Sequence, residues 1–261
     1  MPSLDQLRIK LFCDGADFGS LITWSTDPRI QGFTTNPTLM RKSCVVDYEG
    51  FARQLLKIIP DRPLSFEVLA DTPEVMEEQA RIISAWGENV YVKVPVTNTW
   101  GVFTGPTLRR LSQDGIKLNI TAVLTLDQVD GVAASLCTST PAIISIFAGR
   151  IADTGVDPSP IMRRAARLLE SSPNIDLLWA SPRELFNIFQ AEDAGCQIIT
   201  LPPDILHKLG LIGKDLRDYS LETVSMFYQD ACAAGYEIQV RTSAFSKTLA
   251  YHAYQRSASV A

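Results

Sequence analysis

Short apolar runs rich in β-branched residues alternate with amphipathic segments along most of the chain. The strand-like runs fall at 9–14, 30–35, 64–70, 90–96, 116–123, 142–148, 175–181 and 196–201. Between them, apolar residues recur at three- and four-residue spacing over 47–59, 72–86, 106–115, 125–136, 159–170, 181–195 and 202–210. Such spacing lines one face of a helix. Thr, Asp or Ser stands at the helix starts, Pro sits in several first turns, and Asp114-Gly115 and Ala194-Gly195 supply stops. Strand, helix, strand at this rhythm demands parallel pairing through right-handed crossovers. Roughly eight such units predict one α/β domain, a closed (β/α)8 TIM barrel. The alternative is an open doubly wound sheet, which usually has fewer units. Its first turn is often glycine-rich, whereas "CDGADFGS" (13–20) fits neither a dinucleotide fingerprint nor a P-loop. After Gly210 the rhythm changes. The stretches 220–235 and about 242–256 read as helices that feed no further strand, a C-terminal helical extension starting at about 211. Its expected task is to close the barrel bottom, cover a subunit interface or cap a neighbouring site.

Polar residues interrupt the apolar strands in a pattern. In "VYVKVPV" (90–96) every second residue is valine. Strand side chains alternate faces, so the valines point to the helix layer and Tyr91, Lys93 and Pro95 point into the barrel. A strand lysine ordinarily snorkels or pairs with an acid. Here both faces are buried, and Lys93 lies toward the C-terminal end of its strand, where barrel active sites are built. Desolvation penalises the ammonium form, and a neutral amine attacks a carbonyl to give a Schiff base. Asp14, "TTNP" (34–37), Glu67, Asn119, Thr121, Ser145, Arg150 and "SPR" (181–183) fall at the corresponding ends of other strands. Any one of these reads as a polar group satisfying the backbone. As a set they suggest a site. Two acids beside a lysine can pass protons through water. Arg150 and Arg183, with Ser181 opening a helix, suit a phosphate.

Composition narrows the function. The net charge is −5 and the pI about 5.1, which argues against a nucleic-acid or membrane-surface partner. An anionic ligand must therefore be held by a local cationic site. Five cysteines, an odd number without a CxxC pair, disfavour a disulfide framework or zinc site. No leader pattern and no bilayer-length apolar run is visible, so a soluble cytoplasmic protein is expected. Only His207 and His252 are present, which lowers the prospects of a Ser-His-Asp triad or a multi-histidine metal site.

"GFTTNPTL" (32–39), "VKVPVT" (92–97), "ISIFAGRIADTG" (144–155) and "ASPRELFNIFQAEDAGCQIITLPPDIL" (180–206) together resemble the transaldolase family. The likeness in pattern runs from Asp14 to about Tyr236. It implies a class I enzyme of sugar-phosphate metabolism in the pentose phosphate pathway, without metal or other cofactor. A dihydroxyacetone unit passes from a ketose phosphate to an aldose phosphate through a lysine Schiff base. By motif, Lys93 is the nucleophile, Asp14 the proton-transfer acid/base, and Glu67 and Thr121 hold the catalytic water. Asn36, Asn119 and Ser145 orient the three-carbon unit, Thr34 supports the site, and Arg150, Ser181 and Arg183 hold phosphate. Phe147 joins the substrate-binding set. One branch of the family resembles fructose-6-phosphate aldolase, a lyase that releases dihydroxyacetone. That branch typically has Gln and Tyr where this chain has Glu67 and Phe147, which favours the transferase. Pro182 stands where the family commonly has an aromatic residue. Sugar phosphates and further copies of the chain, as a homo-oligomer, are the expected partners. The alternatives are the lyase, a catalytically silent sugar-phosphate binding barrel, and another Schiff-base aldolase such as one acting on deoxyribose 5-phosphate.

Overall fold

All eight apolar runs form strands: β1 (Lys10–Asp14), β2 (Ile30–Thr34), β3 (Leu64–Glu67), β4 (Val90–Pro95), β5 (Leu118–Val123), β6 (Ala142–Ile146), β7 (Ile175–Trp179) and β8 (Ile198–Leu201). Each pairs in parallel with the next, and β8 closes onto β1, giving a (β/α)8 barrel. The computed structural model describes residues 6–239. The chain divides into two compact units, Met1–Ile212 and Gly213–Ala261, and the barrel lies in the first.

The alternation of faces follows the sequence. Val90, Val92, Val94 and Val96 pack outward with Leu108 and Leu111 in the layer between sheet and helices. Tyr91 instead packs against an inner cluster of Phe12, Ile143, Leu178, Ala180 and Ile198. This cluster plugs the barrel below the polar residues. The Phe12 ring leaves no room at β2: a Cβ on Gly32 would lie 2.4 Å from Phe12 Cζ, so only glycine fits. Between β5 and β6 the register slips by one residue after Ile120, and Ala122 takes a positive φ of 60°. The slip is a bulge at the strand's C-terminal end, a common device for aiming side chains beside a site.

The barrel helices are α1 (Phe18–Ser25), α2 (Pro37–Lys42), α3 (Tyr48–Ile58), α4 (Pro73–Ser84), α5 (Gly105–Gln113), α6 (Leu126–Ser135), α7 (Ala148–Ala152), α8 (Ser159–Leu168), α9 (Asn187–Asp193) and α10 (Pro203–Leu206). Periodicity missed α1, α2 and α7. At eight, six and five residues they are too short for a 3.6-residue repeat to register. The strand expected over 64–70 stops at Glu67 because side chains take over its backbone bonds. The Tyr48 hydroxyl brackets the Glu67 backbone, and Gln79 Oε1 accepts from Leu69 and Ala70. The helix expected over 181–195 begins only at Asn187. Ser181 has φ 57° and a proline follows it, so Ser181 opens a turn and not a helix.

In the second unit, α11 (Leu216–Ala233) starts earlier than its expected position because Asp215 caps it, accepting from the Arg217 and Asp218 amides. None of its residues is buried. The helix expected over 242–256 lies outside the described residues. Among those described, no helix is long and apolar enough to cross a membrane, and the five cysteines are unpaired.

Candidate active site

The C-terminal ends of the strands open into a cavity of about 520 Å³. Every residue that the sequence nominated for the site lines it, from Asp14 on β1 to Arg183 beyond β7. Strand register explains the convergence. Glu67, Lys93 and Asn119 are direct neighbours across β3, β4 and β5, and Asp14 faces Thr34 across β1 and β2. Equal height and equal parity put these side chains in one inward-pointing layer.

Lys93 is 5% exposed. Its Nζ donates to the Thr35 carbonyl at 2.6 Å and lies 3.1 Å from Glu67 Oε2. A buried ammonium requires such partners. Tyr48 holds the Glu67 backbone from behind, its hydroxyl donating to the carbonyl at 2.9 Å and accepting from the amide at 2.8 Å. Burial pushes the Tyr48 phenol well above its ordinary range, so it stays a donor.

Asp14 is half-buried at the end of β1. Burial pushes its carboxyl above the usual carboxylate range, and the charge of Glu67 pushes the same way. The Lys93 charge and a hydrogen bond from Thr34 hold it down, and burial outweighs them. Thr34 Oγ1 donates to Asp14 Oδ1 at 2.7 Å and meets Thr200 Oγ1 at 2.6 Å. A hydroxyl has one hydrogen, so Thr200 is the donor at that second contact. A second chain runs through β6, β5 and β3: Ser145 Oγ donates to Asn119 Oδ1 at 2.7 Å, and Asn119 Nδ2 donates to Ser65 Oγ at 3.1 Å. Asn36 uses Oδ1 to cap α2, accepting from Leu39, which leaves its Nδ2 as the group for a ligand.

At the rim, Arg150 on α7 lies with its guanidinium 5.5 Å from the centre of the Phe147 ring. Arg183 forms a two-pronged ion pair with Asp153, through Nε to Oδ1 at 2.8 Å and through Nη2 to Oδ2. That pair holds the Asp153 carboxyl below its ordinary range. With Ser181 in a turn, phosphate at this rim would meet guanidiniums and a hydroxyl, and the expected helix N-terminal amides are not at Ser181.

Sequence reasoning missed Thr200, Ser65 and Lys42. Thr200 and Ser65 are lone small polar residues in apolar strands, and their signal was their inward parity. Lys42 lines the cavity from α2, a helix the periodicity did not show. His207, by contrast, packs against Trp24 with ring centres 5.1 Å apart and does not line the cavity.

A parallel eight-stranded barrel with a buried lysine, two carboxylates and rim arginines in one cavity has the make-up of a barrel enzyme, with an amine able to attack a carbonyl, acids able to move protons and guanidiniums able to hold an anion. The comparisons name the family. The model for "Transaldolase/Fructose-6-phosphate aldolase" matches residues 11–251, and the chain belongs to that family. A probable transaldolase 2 of Listeria monocytogenes is 31% identical over 77% of this chain and 88% of its own length. A probable transaldolase of Dehalococcoides mccartyi is 29% identical over 77% and 90%. Among solved structures, a putative phosphonomutase from Burkholderia cenocepacia superposes with a TM-score of 0.54 at 10% identity, covering 85% of this chain and 94% of its own. A 2,3-dimethylmalate lyase gives 0.52 at 12%, covering 99% and 96%. At such identity these two structures speak for the barrel fold alone.

Proposed function

We propose that this enzyme is a transaldolase, moving a dihydroxyacetone unit from a ketose phosphate such as fructose 6-phosphate to an aldose phosphate. The observation that carries the reading is the buried Lys93 amine, against Glu67 and in one cavity with Asp14 and the two rim arginines. The Lys93 ammonium first loses a proton, for which Glu67 is the nearest carboxylate. The amine adds to the C2 carbonyl, and the carbinolamine oxygen leaves as water, protonated from the Glu67 side. Asp14 then takes the proton of the C4 hydroxyl. The C3–C4 bond breaks, its electron pair flows into the iminium, and C4 departs as the aldehyde of a shorter aldose phosphate. An enamine remains on Lys93. It adds to the aldehyde carbon of the acceptor, Asp14 returns its proton to the new alkoxide, and water guided by Glu67 and Thr121 hydrolyses the iminium.

Burial suits Asp14 to this work. A carboxylate raised above its ordinary range is a stronger base and keeps the proton between cleavage and addition. Asn36, Asn119 and Ser145 are assigned to the hydroxyls of the three-carbon unit, and Arg150, Ser181 and Arg183 to phosphate. The names of the relatives, probable transaldolases, support transfer over release. So does Phe147, whose benzyl ring has no group to activate water against the enamine or iminium.

Borohydride reduction in the presence of fructose 6-phosphate tests the reading. Mass spectrometry is expected to find a reduced three-carbon adduct on Lys93, and Lys93→Arg is expected to lose turnover by at least about a thousandfold, about 4 kcal/mol, with the fold intact. Labelling at another lysine would overturn the mechanism. Without an acceptor, free dihydroxyacetone is expected slowly, and Phe147→Tyr is expected to speed its release about tenfold, the worth of one good hydrogen bond. Release as fast as transfer in the unaltered protein would make it a lyase.

A further inference from the structure

The Arg183–Asp153 pair decides what Arg183 can offer a ligand. Asp153 caps the C-terminal end of α7, three residues beyond Arg150. Its two oxygens take Nε and Nη2 of Arg183, one edge of the guanidinium. Five N–H bonds radiate from that group. The pair uses two of them, leaving both on Nη1 and one on Nη2. Arg183 lines the cavity and Asp153 does not, so the carboxylate grips the arginine from outside.

A second contact joins the same two segments. Gly149, also on α7, lies so close to the turn after β7 that a Cβ there would fall 1.5 Å from the Ser181 carbonyl oxygen. The Gly149 amide donates to the Ala180 carbonyl at 3.3 Å. Arg150, Ser181 and Arg183 thus sit on two short segments tied together at both Gly149 and Asp153.

We propose that Asp153 is the positioning residue of the phosphate subsite, holding Arg183 by one edge so that the other faces the cavity. The proposal rests on the assignment of phosphate to Arg150, Ser181 and Arg183. A half-exposed arginine without this grip samples many rotamers, and an anion has to select among them. The carboxylate also subtracts a charge. With Arg150 added, the three side chains still sum to +1, so the cradle attracts an anion while its geometry is fixed. The opposing possibility is competition, in which a phosphate must evict Asp153 to reach Arg183. The two predict opposite signs.

The full-length protein and its Asp153→Ala, Asp153→Glu and Arg183→Ala variants are titrated with inorganic phosphate by calorimetry. Turnover is then measured at saturating sedoheptulose 7-phosphate as the donor, with glyceraldehyde 3-phosphate and with glyceraldehyde as acceptors. Asp153→Ala is expected to weaken phosphate binding about tenfold and to raise KM for the phosphorylated acceptor by a like factor. The kcat and the KM for glyceraldehyde are expected to stay unchanged, and Asp153→Glu to recover part of the loss. Tighter phosphate binding in Asp153→Ala would establish competition and overturn the proposal. Unchanged binding, or equal losses on both acceptors, would overturn it too. Phosphate titration needs no turnover, so it reads this subsite even if the transferase reading fails. If Arg183→Ala leaves phosphate binding intact, the phosphate assignment is wrong and the role of Asp153 falls with it.

Discussion

At the scale of the residue, burial of Asp14 costs the fold stability and suits the acid/base role proposed for it. Burial raises its carboxyl, so ionising it is harder in the native state than in the unfolded chain. The sign of the linkage follows. A carboxylate raised on folding contributes stability that is present below its unfolded value, near 3.9, and is lost as pH climbs through the folded one. Asp14→Asn is therefore expected to melt at a higher temperature than the unaltered protein at neutral pH, with the gap closing in acid. It is also expected to lose turnover by about two to four orders of magnitude. Thr34 works against burial by donating to the carboxylate. Thr34→Val removes a downward influence, so the acid limb of the kcat/KM profile is expected to move to higher pH. A limb that stays in place or moves to lower pH would show that Asp14 is not the group it reports. Asp14 and Thr34 were both legible in the sequence. Thr200, which donates to Thr34, was not, because its partner lies 166 residues away.

At the scale of elements, the short helices at the cavity rim carry more of the site than the long outer ones. The long helices follow from apolar periodicity, and their task is to cover the strands. The rim helix α7 is five residues long and carries no side-chain cap. Its place is set by tertiary contact. Gly149 makes that placement testable. Alanine is the better helix former by about 1 kcal/mol. A Cβ at this position would nevertheless meet a backbone carbonyl at 1.5 Å, which no rotamer change can relieve. The clash should win, so Gly149→Ala is expected to destabilise the protein by about 3 kcal/mol, at the upper end of overpacking costs. Denaturant titration checks this, and a stabilised variant would mean that the turn after β7 is free to move. The turn also shows why the expected helix over 181–195 was too long. Hydrophobic spacing continues through Leu185 and Ile188, but the positive φ at Ser181 is invisible to periodicity.

For the whole molecule, the closed barrel makes the site a property of every strand. Lining residues come from each of β1 through β8 or the turns that follow them, Thr200 completing the ring from β8. A ligand in this cavity bridges all eight strands, so its binding energy counts against unfolding of the barrel as a unit. Phosphate or fructose 6-phosphate at about 100 times its Kd is expected to contribute about 2.7 kcal/mol. For a barrel of this size that is a rise in Tm of about 5–10 °C. Thermal melts of the unaltered protein and of the Arg150→Ala/Arg183→Ala double variant check it. A rise of the same size in the double variant would place the anion elsewhere.

The sequence by itself determined the number, order and direction of the strands, because apolar alternation and helix spacing are local and a parallel crossover has one favoured hand. It also determined which strand residues face inward, since parity is a property of the strand alone. Lys93 and Asn119 were legible for that reason, and Asp14 and Glu67 because an acid at the end of an apolar strand or within one stands out. Only the tertiary structure decided what those side chains touch: Lys93 on Thr35 and Glu67, Thr200 on Thr34, Ser65 on Asn119, and Asp153 on Arg183. These contacts join positions 26 to 166 residues apart. They depend on strand register and on barrel closure, and no pattern within a single segment encodes either.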